Sequence, residues 1–218
     1  MVNSPNENLG ERFNLDHFLA AREGAIKIVR DVAKKVTVGM SEDEAHQLLK
    51  TAFDRNGTQK LWHPSKVRFA ANTLKTFREI SEPNIKLKKG DLFFFDIGPV
   101  INDHEGDYGE TFLCQSSESS ELIDASKSVF EQTAKAWKKQ GLTGKKLYAF
   151  AAEKAQELGF ELNLDMDGHR LGDFPHALHF KGGLPDHDAI PKPGLWILEI
   201  HLRDPKTNRG AFFEDLLQ

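Results

Sequence analysis

The chain has 218 residues, and its composition is that of an ordinary soluble protein, with 39% apolar and 28% charged residues. Its formal net charge of −4 gives no overall basic field, so neither nucleic acid nor a membrane surface is an expected partner. The longest apolar run, at positions 147–152, is far shorter than the roughly 20 residues that cross a bilayer.

The N-terminal residues and the single cysteine bear on where the chain works. Residues 1–13 are polar and predict a flexible lead-in, without the basic and apolar blocks of a signal peptide. Cys114 is the only cysteine, so an internal disulfide is excluded. Because such cysteine usage suits a reducing compartment, we expect a cytoplasmic protein.

The first elements in the chain are predicted to be two helices. Apolar residues recur at three- and four-residue steps after Asn14 or Asp16, either of which suits an N-cap, and Gly39 ends this amphipathic helix. A second helix begins after Ser41, which has a glutamate three residues later as in a capping box, and Gly57 ends it. The two together form a predicted helix pair.

A matching helix pair is predicted further along the chain. Positions 122–139 carry an amphipathic pattern that ends at Gly141, and Thr143 then caps a helix that ends at Gly159. The second helices of the two pairs lie between glycines spaced 18 residues apart, and their apolar positions match at an offset of 102 residues. Glycine-flanked amphipathic helices are common, but two matched pairs at one offset predict an internal duplication.

Each helix pair is followed by sequence that is typical of strands. The predicted strands span positions 66–70, 91–100, 106–114, 160–165, 195–202 and 210–217. Segments rich in proline, glycine and charge, at 81–90 and 182–194, predict loops. Strands that follow helices twice indicate one α+β domain over residues 14–218, built around a mainly antiparallel sheet.

Two acids stand where a buried strand is expected to continue. The run from Leu92 to Phe95 is apolar on both faces, yet Asp96 follows it directly, and Asp107 comes 11 residues later. Turn-forming residues between them predict a hairpin that closes near positions 101–102 and sets the two carboxylates close to opposite each other. Because facing carboxylates repel, we expect a positive group between them, best supplied by a divalent metal ion.

Three polar residues have a similar setting in the second half. His169 lies in a glycine-flanked segment, Glu199 interrupts an apolar strand, and Glu214 follows two phenylalanines. Taken singly, each acid is explained by pairing with arginine or lysine, and the histidine by a structural hydrogen bond. Together, four carboxylates and one imidazole supply donors for two divalent ions, with Mn, Fe or Co favoured and Zn left open. Such a pair activates water and polarises a carbonyl group, as amide hydrolysis requires.

Five short strings carry a resemblance to a known family. They are Phe95 to Gly98, Gly106 to Asp107 with Thr111 to Phe112, Gly168 to Gly172, Leu198 to Glu199, and Phe213 to Asp215. In this order they resemble the pita-bread metallopeptidases, which include methionine aminopeptidase, aminopeptidase P, prolidase and the non-peptidase creatinase. The resemblance runs from about residue 15 to the C-terminus. It implies a pita-bread fold, in which two pseudo-twofold halves, each a helix pair plus strands, surround a curved antiparallel sheet.

The resemblance also implies a role for each polar residue. A centre of two divalent metal ions (Mn, Co, Fe or Zn) would be held by Asp96, Asp107, His169, Glu199 and Glu214. Asp107 and Glu214 would bridge the ions, and Glu199 would also act as the base for the attacking water. His176 corresponds to the family histidine that hydrogen-bonds the scissile carbonyl or the tetrahedral intermediate, which implies a catalytic and substrate-binding role.

Two departures from the family pattern concern substrate handling. The family histidine that precedes the first metal-binding aspartate falls on Arg78, and His63 is the nearest histidine upstream. We therefore expect Arg78 and His63 as substrate contacts, unless this role is lost altogether. Ala177 follows His176, at a place where the peptidases commonly have glutamate.

The leading interpretation is a metal-dependent aminopeptidase that hydrolyses the N-terminal bond of short peptides. Xaa-Pro or generic specificity is ranked first, because residues 168–176 lack the usual methionine-aminopeptidase string. Methionine aminopeptidase is ranked second, because no additional N-terminal domain precedes the resemblance. Two further hypotheses are a non-catalytic binding protein that retains the fold and a metallohydrolase of a small non-peptide molecule. The expected partner is a peptide, and a homodimer stays open.

Overall fold

The computed structural model describes residues 4–116 and 118–218, which form an antiparallel sheet flanked by helices. The seven strands are β1 (Lys60–Phe69), β2 (Leu92–Ile101), β3 (His104–Glu105), β4 (Tyr108–Leu113), β5 (Glu161–Leu162), β6 (Ile197–Asp204) and β7 (Arg209–Leu216). Their order across the sheet is β1-β2-β4-β7-β6-β5, with β3 paired to β2, and every pairing is antiparallel. The predicted α+β class is confirmed.

Three of the four α-helices begin directly after a predicted cap residue, and the third helix begins one residue before its predicted start. They are α1 (Leu15–Ala33), α2 (Glu42–Arg55), α3 (Glu121–Gln140) and α4 (Gly144–Glu157). The Asn14 side chain accepts the His17 backbone N–H, and Ser41 forms the predicted capping box with Glu44. Thr143 precedes α4, but its side chain makes no capping hydrogen bond. Within the described residues, no helix has both the length and the apolar character needed to cross a bilayer.

Each helix pair packs on its own half of the sheet. In the first half, residues of α1 and α2 such as Ile28 and Leu49 share one apolar cluster with Phe93 on β2. In the second half, α3 and α4 pack with β6, for example Leu147 against Leu198. The halves meet where β4 pairs with β7 in the middle of the sheet, so residues of both halves converge there.

The strand bounds differ from the predicted ones where pairing is remote in sequence. β1 begins at Lys60, six residues before the predicted start, because residues 60–69 pair along the whole of β2. β5 contains only Glu161–Leu162, because only these residues pair with β6. In the central hairpin, Asp96 pairs with Gly109, so Asp107 lies two residues nearer the turn than the partner of Asp96.

The N-terminal lead-in makes several contacts with the domain. Residues 1–3 of the predicted segment 1–13 lie outside the described residues. The buried Glu7 carboxylate accepts hydrogen bonds from Trp196 Nε1 at 2.9 Å and from the Lys192 backbone N–H at 2.8 Å. Gly10 N–H donates to Asp173 Oδ1 at 2.9 Å. The domain boundary at residue 14 stays a prediction.

Candidate metal centre

Three of the predicted ligands lie in one row across the sheet. Asp96 pairs with Gly109, Gly109 with Glu214, and Glu214 with Glu199, on four neighbouring strands. Directly paired residues share a face of the sheet, so the three carboxylates point to the same side. Gly109 leaves the space between them open, because a Cβ atom there would lie 2.7 Å from Glu214 Oε1.

The two remaining predicted ligands complete the group. His169 Nε2 lies 2.8 Å from Asp107 Oδ2 and 3.7 Å from Glu199 Oε1. The histidine is brought this close by Gly168, where a Cβ atom would lie only 1.9 Å from the Ile197 carbonyl oxygen. The structure therefore brings all five predicted ligands to one place.

The four carboxylates are buried, and two histidines are the basic side chains beside them. The exposed fractions are 4% for Asp96, 1% for Asp107, 8% for Glu199 and 2% for Glu214. Among the described residues, no lysine or arginine forms an ion pair with any of them, and Asp107 Oδ2 and Glu214 Oε1 lack a well-aligned hydrogen-bond donor. Because buried, unpaired carboxylates are costly, this arrangement fits a site for cations.

The pKa shifts follow from this crowding. Burial raises the pKa of Glu199 and Glu214 well above the ordinary value of a carboxyl group. Burial, opposed by His63 and reinforced by Asp107, raises the pKa of Asp96 to about 6. Burial acts upward on Asp107 too, but the facing imidazoles of His169 and His63 lower its pKa. The centre therefore holds protons when no metal ion replaces them.

Two overlapping groups of side chains offer metal ligands. The first contains His63, Asp96 and Asp107, and the second contains Asp107, His169 and Glu214. Within each group, the ligand atoms lie within 4.8 Å of one another. Carboxylate oxygens with imidazole suit divalent ions such as Mn, Fe, Co or Zn. The residues present thus fit a site for divalent metal ions, and Asp107 belongs to both groups.

A cavity of about 260 Å³ opens onto this centre. Its lining residues are Trp62, His63, Phe77, Arg78, Asp96, Asp107, Asp165, Met166, Asp167, His169, Glu199 and Glu214. Both predicted substrate contacts, His63 and Arg78, therefore lie at the cavity, the latter exposed. Sequence reasoning missed Trp62, Asp165 and Asp167, although the acids two and four residues before His169 were a usable signal.

A comparison with models of known protein families shows to which family the chain belongs. Residues 16–217 match metallopeptidase family M24. The chain belongs to this family. The predicted pita-bread relationship is thereby confirmed. No match was found among curated proteins.

Solved structures of M24 relatives have the same fold. The prolidase from Pyrococcus horikoshii OT3 superposes with a TM-score of 0.75 at 20% identity, over 95% of this chain and 59% of that one. Methionine aminopeptidase from Thermotoga maritima superposes with a TM-score of 0.75 at 17% identity, over 98% of this chain and 93% of that one. X-Pro aminopeptidase from Thermotoga maritima MSB8 superposes with a TM-score of 0.70 at 18% identity, over 93% of this chain and 58% of that one. The M24 chain thus has the pita-bread fold and spans about three fifths of the prolidase.

The remaining predicted residue of this M24 protein, His176, lies beside the cavity and outside its lining residues. Its ring is stacked on that of His169 at a centroid distance of 6.0 Å and meets Trp62 edge-on at 5.3 Å. The His176 Nδ1 atom lies 2.8 Å from Glu105 Oε2, and its backbone N–H donates to Glu105 Oε1 at 2.9 Å. Sequence reasoning missed Glu105, an acid two residues before Asp107 that is 1% exposed.

The stability of the metal-free M24 protein is expected to fall as the pH rises from 6.5 to 9. Burial alone would lower the pKa of His63 and His169, but the facing carboxylates outweigh it and raise both values from 6.5 to about 9. The stabilisation from these two protons is complete below pH 6.5 and is lost as the pH passes 9. We expect the melting temperature in chelator to drop by roughly 5–10 °C over this range.

Thermal unfolding with and without divalent metal checks this expectation. Metal ions displace the same protons, so the stabilisation by metal should grow over the same pH range. A melting temperature in chelator that stays level or rises between pH 6.5 and 9 would contradict the assignment of these protons.

Proposed function

We propose that the chain is a dinuclear-metal-dependent aminopeptidase that hydrolyses the N-terminal bond of short peptides, with Xaa-Pro or generic specificity. The observation that carries this proposal is the convergence of four buried carboxylates and His169 at one cavity, without a lysine or arginine ion pair among the described residues. Membership of the M24 family supports the same reaction class. A cytoplasmic location is part of the proposal and is supported by the single, buried cysteine.

Each side chain has a distinct place in the proposed reaction. Asp96, Asp107, His169, Glu199 and Glu214 would hold the two ions, with Asp107 and Glu214 common to both. When bound, two divalent ions supply an activated water and a polarised carbonyl group. Glu199 suits the role of base, because its carboxylate belongs to the centre and lines the cavity where the attacking water would lie.

The walls of the cavity suit the N-terminal residue of a peptide. Trp62, Phe77 and Met166 offer apolar surface for a side chain, and the carboxylates of Asp165 and Asp167 offer partners for the ammonium group. The small volume, about 260 Å³, favours a single residue at this position. Arg78 is exposed at the cavity and suits the carboxylate or the carbonyl groups that follow the cleaved bond.

Glu105 is proposed as a positioning residue for His176, which would stabilise the tetrahedral intermediate. The carboxylate accepts the Nδ1–H of His176 and so orients the ring, and Glu105→Gln is expected to loosen this orientation, let the Nδ1 proton shift and lower kcat roughly tenfold with little change in KM. Nitrogen NMR of the His176 ring reports the tautomer. Asp173→Asn changes a nearby acid that binds Gly10 instead and is the matched control. An unchanged His176 tautomer in Glu105→Gln would refute the assignment.

The proposal is tested with a peptide panel and purified protein loaded with Mn or Co. Xaa-Pro, Met-Xaa and mixed dipeptides and tripeptides are supplied, and release of the N-terminal residue is measured. Release is expected to stop with chelator and to return when metal is added. Metal binding without release from any peptide would overturn the aminopeptidase, and a metabolite screen would then test a small-molecule hydrolase. Preference for Met-Xaa would instead support a methionine aminopeptidase.

A further inference from the structure

His63 stands at an irregularity of strand β1. Its partner on β2 is Gly98, and the strand register shifts on both sides of His63. Such bulges change the direction in which side chains point. Trp62 and His63 would alternate in a regular strand, yet both lie over Gly98, where a Cβ atom would be 2.5 Å from Trp62 Nε1 and 2.4 Å from His63 Nε2. The bulge and the glycine together direct the His63 ring into the cavity.

The ring of His63 is oriented toward the carboxylates. Its Nε2 atom lies 3.4 Å from Asp107 Oδ1 and 3.6 Å from Asp96 Oδ1, and the side chain is 11% exposed. Its Nδ1 atom lies 3.1 Å from the Pro64 carbonyl oxygen. Because a carbonyl oxygen can only accept, the proton of the neutral ring is on Nδ1, and Nε2 presents its lone pair to the centre.

His169 has the same arrangement on the other side of Asp107. Its Nδ1 atom lies 3.0 Å from the Arg170 carbonyl oxygen, and its Nε2 atom lies 2.8 Å from Asp107 Oδ2. A histidine that ligates a metal usually donates its other ring N–H to a carbonyl or carboxylate oxygen, which fixes the tautomer. Two histidines of one tautomer thus approach the two oxygens of a single carboxylate, whereas His176 uses Nδ1 on a carboxylate outside the centre.

We propose that His63 is a direct ligand of one of the two metal ions, so that each ion has one imidazole. The inference rests on the proposed dinuclear centre. His63 would join the ligands on the Asp96 side of the centre, where it groups with Asp96 and Asp107, while His169 groups with Asp107 and Glu214 on the other side. An imidazole ligand from His63 favours Zn or Ni over Mn for the ion that lies next to Asp96. The family histidine is replaced by Arg78 in this chain. His63 therefore does not take over its role as a substrate contact but is part of the metal centre.

Cobalt X-ray absorption on the full chain tests this assignment without any activity measurement. With two Co ions bound, the parent is expected to show two imidazoles per pair, and His63→Asn only one. In a calorimetric metal titration, His63→Asn should weaken one of the two sites by at least about tenfold and leave the other unchanged. His176→Asn is the matched control, because that ring lies beside the centre, and it should keep both imidazoles and both affinities.

The outcomes separate this inference from the proposed function. Two bound Co ions with one imidazole in total would overturn the role of His63 and leave the dinuclear centre intact. A parent chain that binds no cobalt would overturn both. Unchanged or tighter metal binding by His63→Asn would show that the ring is a counter-ion or a substrate contact. If His63→Asn does not fold in chelator, the number of imidazole ligands per Co pair in the parent protein decides whether His63 is a ligand.

Discussion

Asp107→Asn is expected to remove both metal ions from the protein. Asp107 is the residue shared by the two ligand groups, and asparagine keeps the size of the side chain but loses the charge and one ligand oxygen. We expect the metal content to fall from about two ions per chain to a small fraction, with a loss of peptide hydrolysis on the order of a thousandfold. Elemental analysis and the peptide panel measure the two effects.

A matched variant on the same hairpin controls for general damage. Asp103 lies in the turn with a positive φ of 60°, which asparagine tolerates, and it is exposed. Asp103→Asn should keep the metal and the activity. Thermal unfolding of Asp107→Asn in chelator separates metal loss from the loss of the contacts that Asp107 makes with His63 and His169. Two tightly bound ions in Asp107→Asn would disprove the shared role of this residue.

Gly168→Ala is expected to be the most damaging single methyl addition near the centre. The new Cβ atom would lie 1.9 Å from the Ile197 carbonyl oxygen, so the segment that carries His169 must move away from β6. That movement disturbs the hydrogen bonds that Gly168 makes with Tyr148 and Leu184. We expect a loss of roughly 3 kcal/mol of stability, a melting temperature lower by about 10 °C, and weaker metal binding.

Gly172→Ala, in the same segment, is the control for this effect. The nearest atoms to a Cβ atom at Gly172 are 3.8 Å away, which is ordinary contact distance. Thermal unfolding of both variants in chelator separates the packing effect from metal loss. A Gly168→Ala protein that melts within about 1 °C of the Gly172→Ala protein would disprove the close approach of this segment to β6.

Local chemistry explains the elements that the sequence predicts well. The caps at Asn14 and Ser41 act within one helical turn, and Gly141 adopts the left-handed conformation directly after α3. Strand bounds depend on distant partners instead. The polar start of β1 at Lys60 becomes a strand only because β2 lies beside it, and β5 is short because only two of its residues meet β6.

Some residues of the candidate site can be recognised from the sequence, and others only from the tertiary structure. Asp96 and Glu199 are conspicuous in sequence, because an acid inside an apolar strand is costly unless something compensates it. Glu105 gives no such signal, since its importance comes from the distance to His176, 71 positions later. His63 is visible in sequence as a histidine, but only the bulge in β1 brings it to Asp107.

By itself, the sequence determined the helices, the α+β class and the residue types of the candidate metal centre, because these depend on short-range periodicity, capping and the cost of burying charge. Only the tertiary structure decided which histidine lies next to which carboxylate. That choice depends on strand register and on close backbone contacts at Gly98, Gly109 and Gly168, which join residues far apart in the chain.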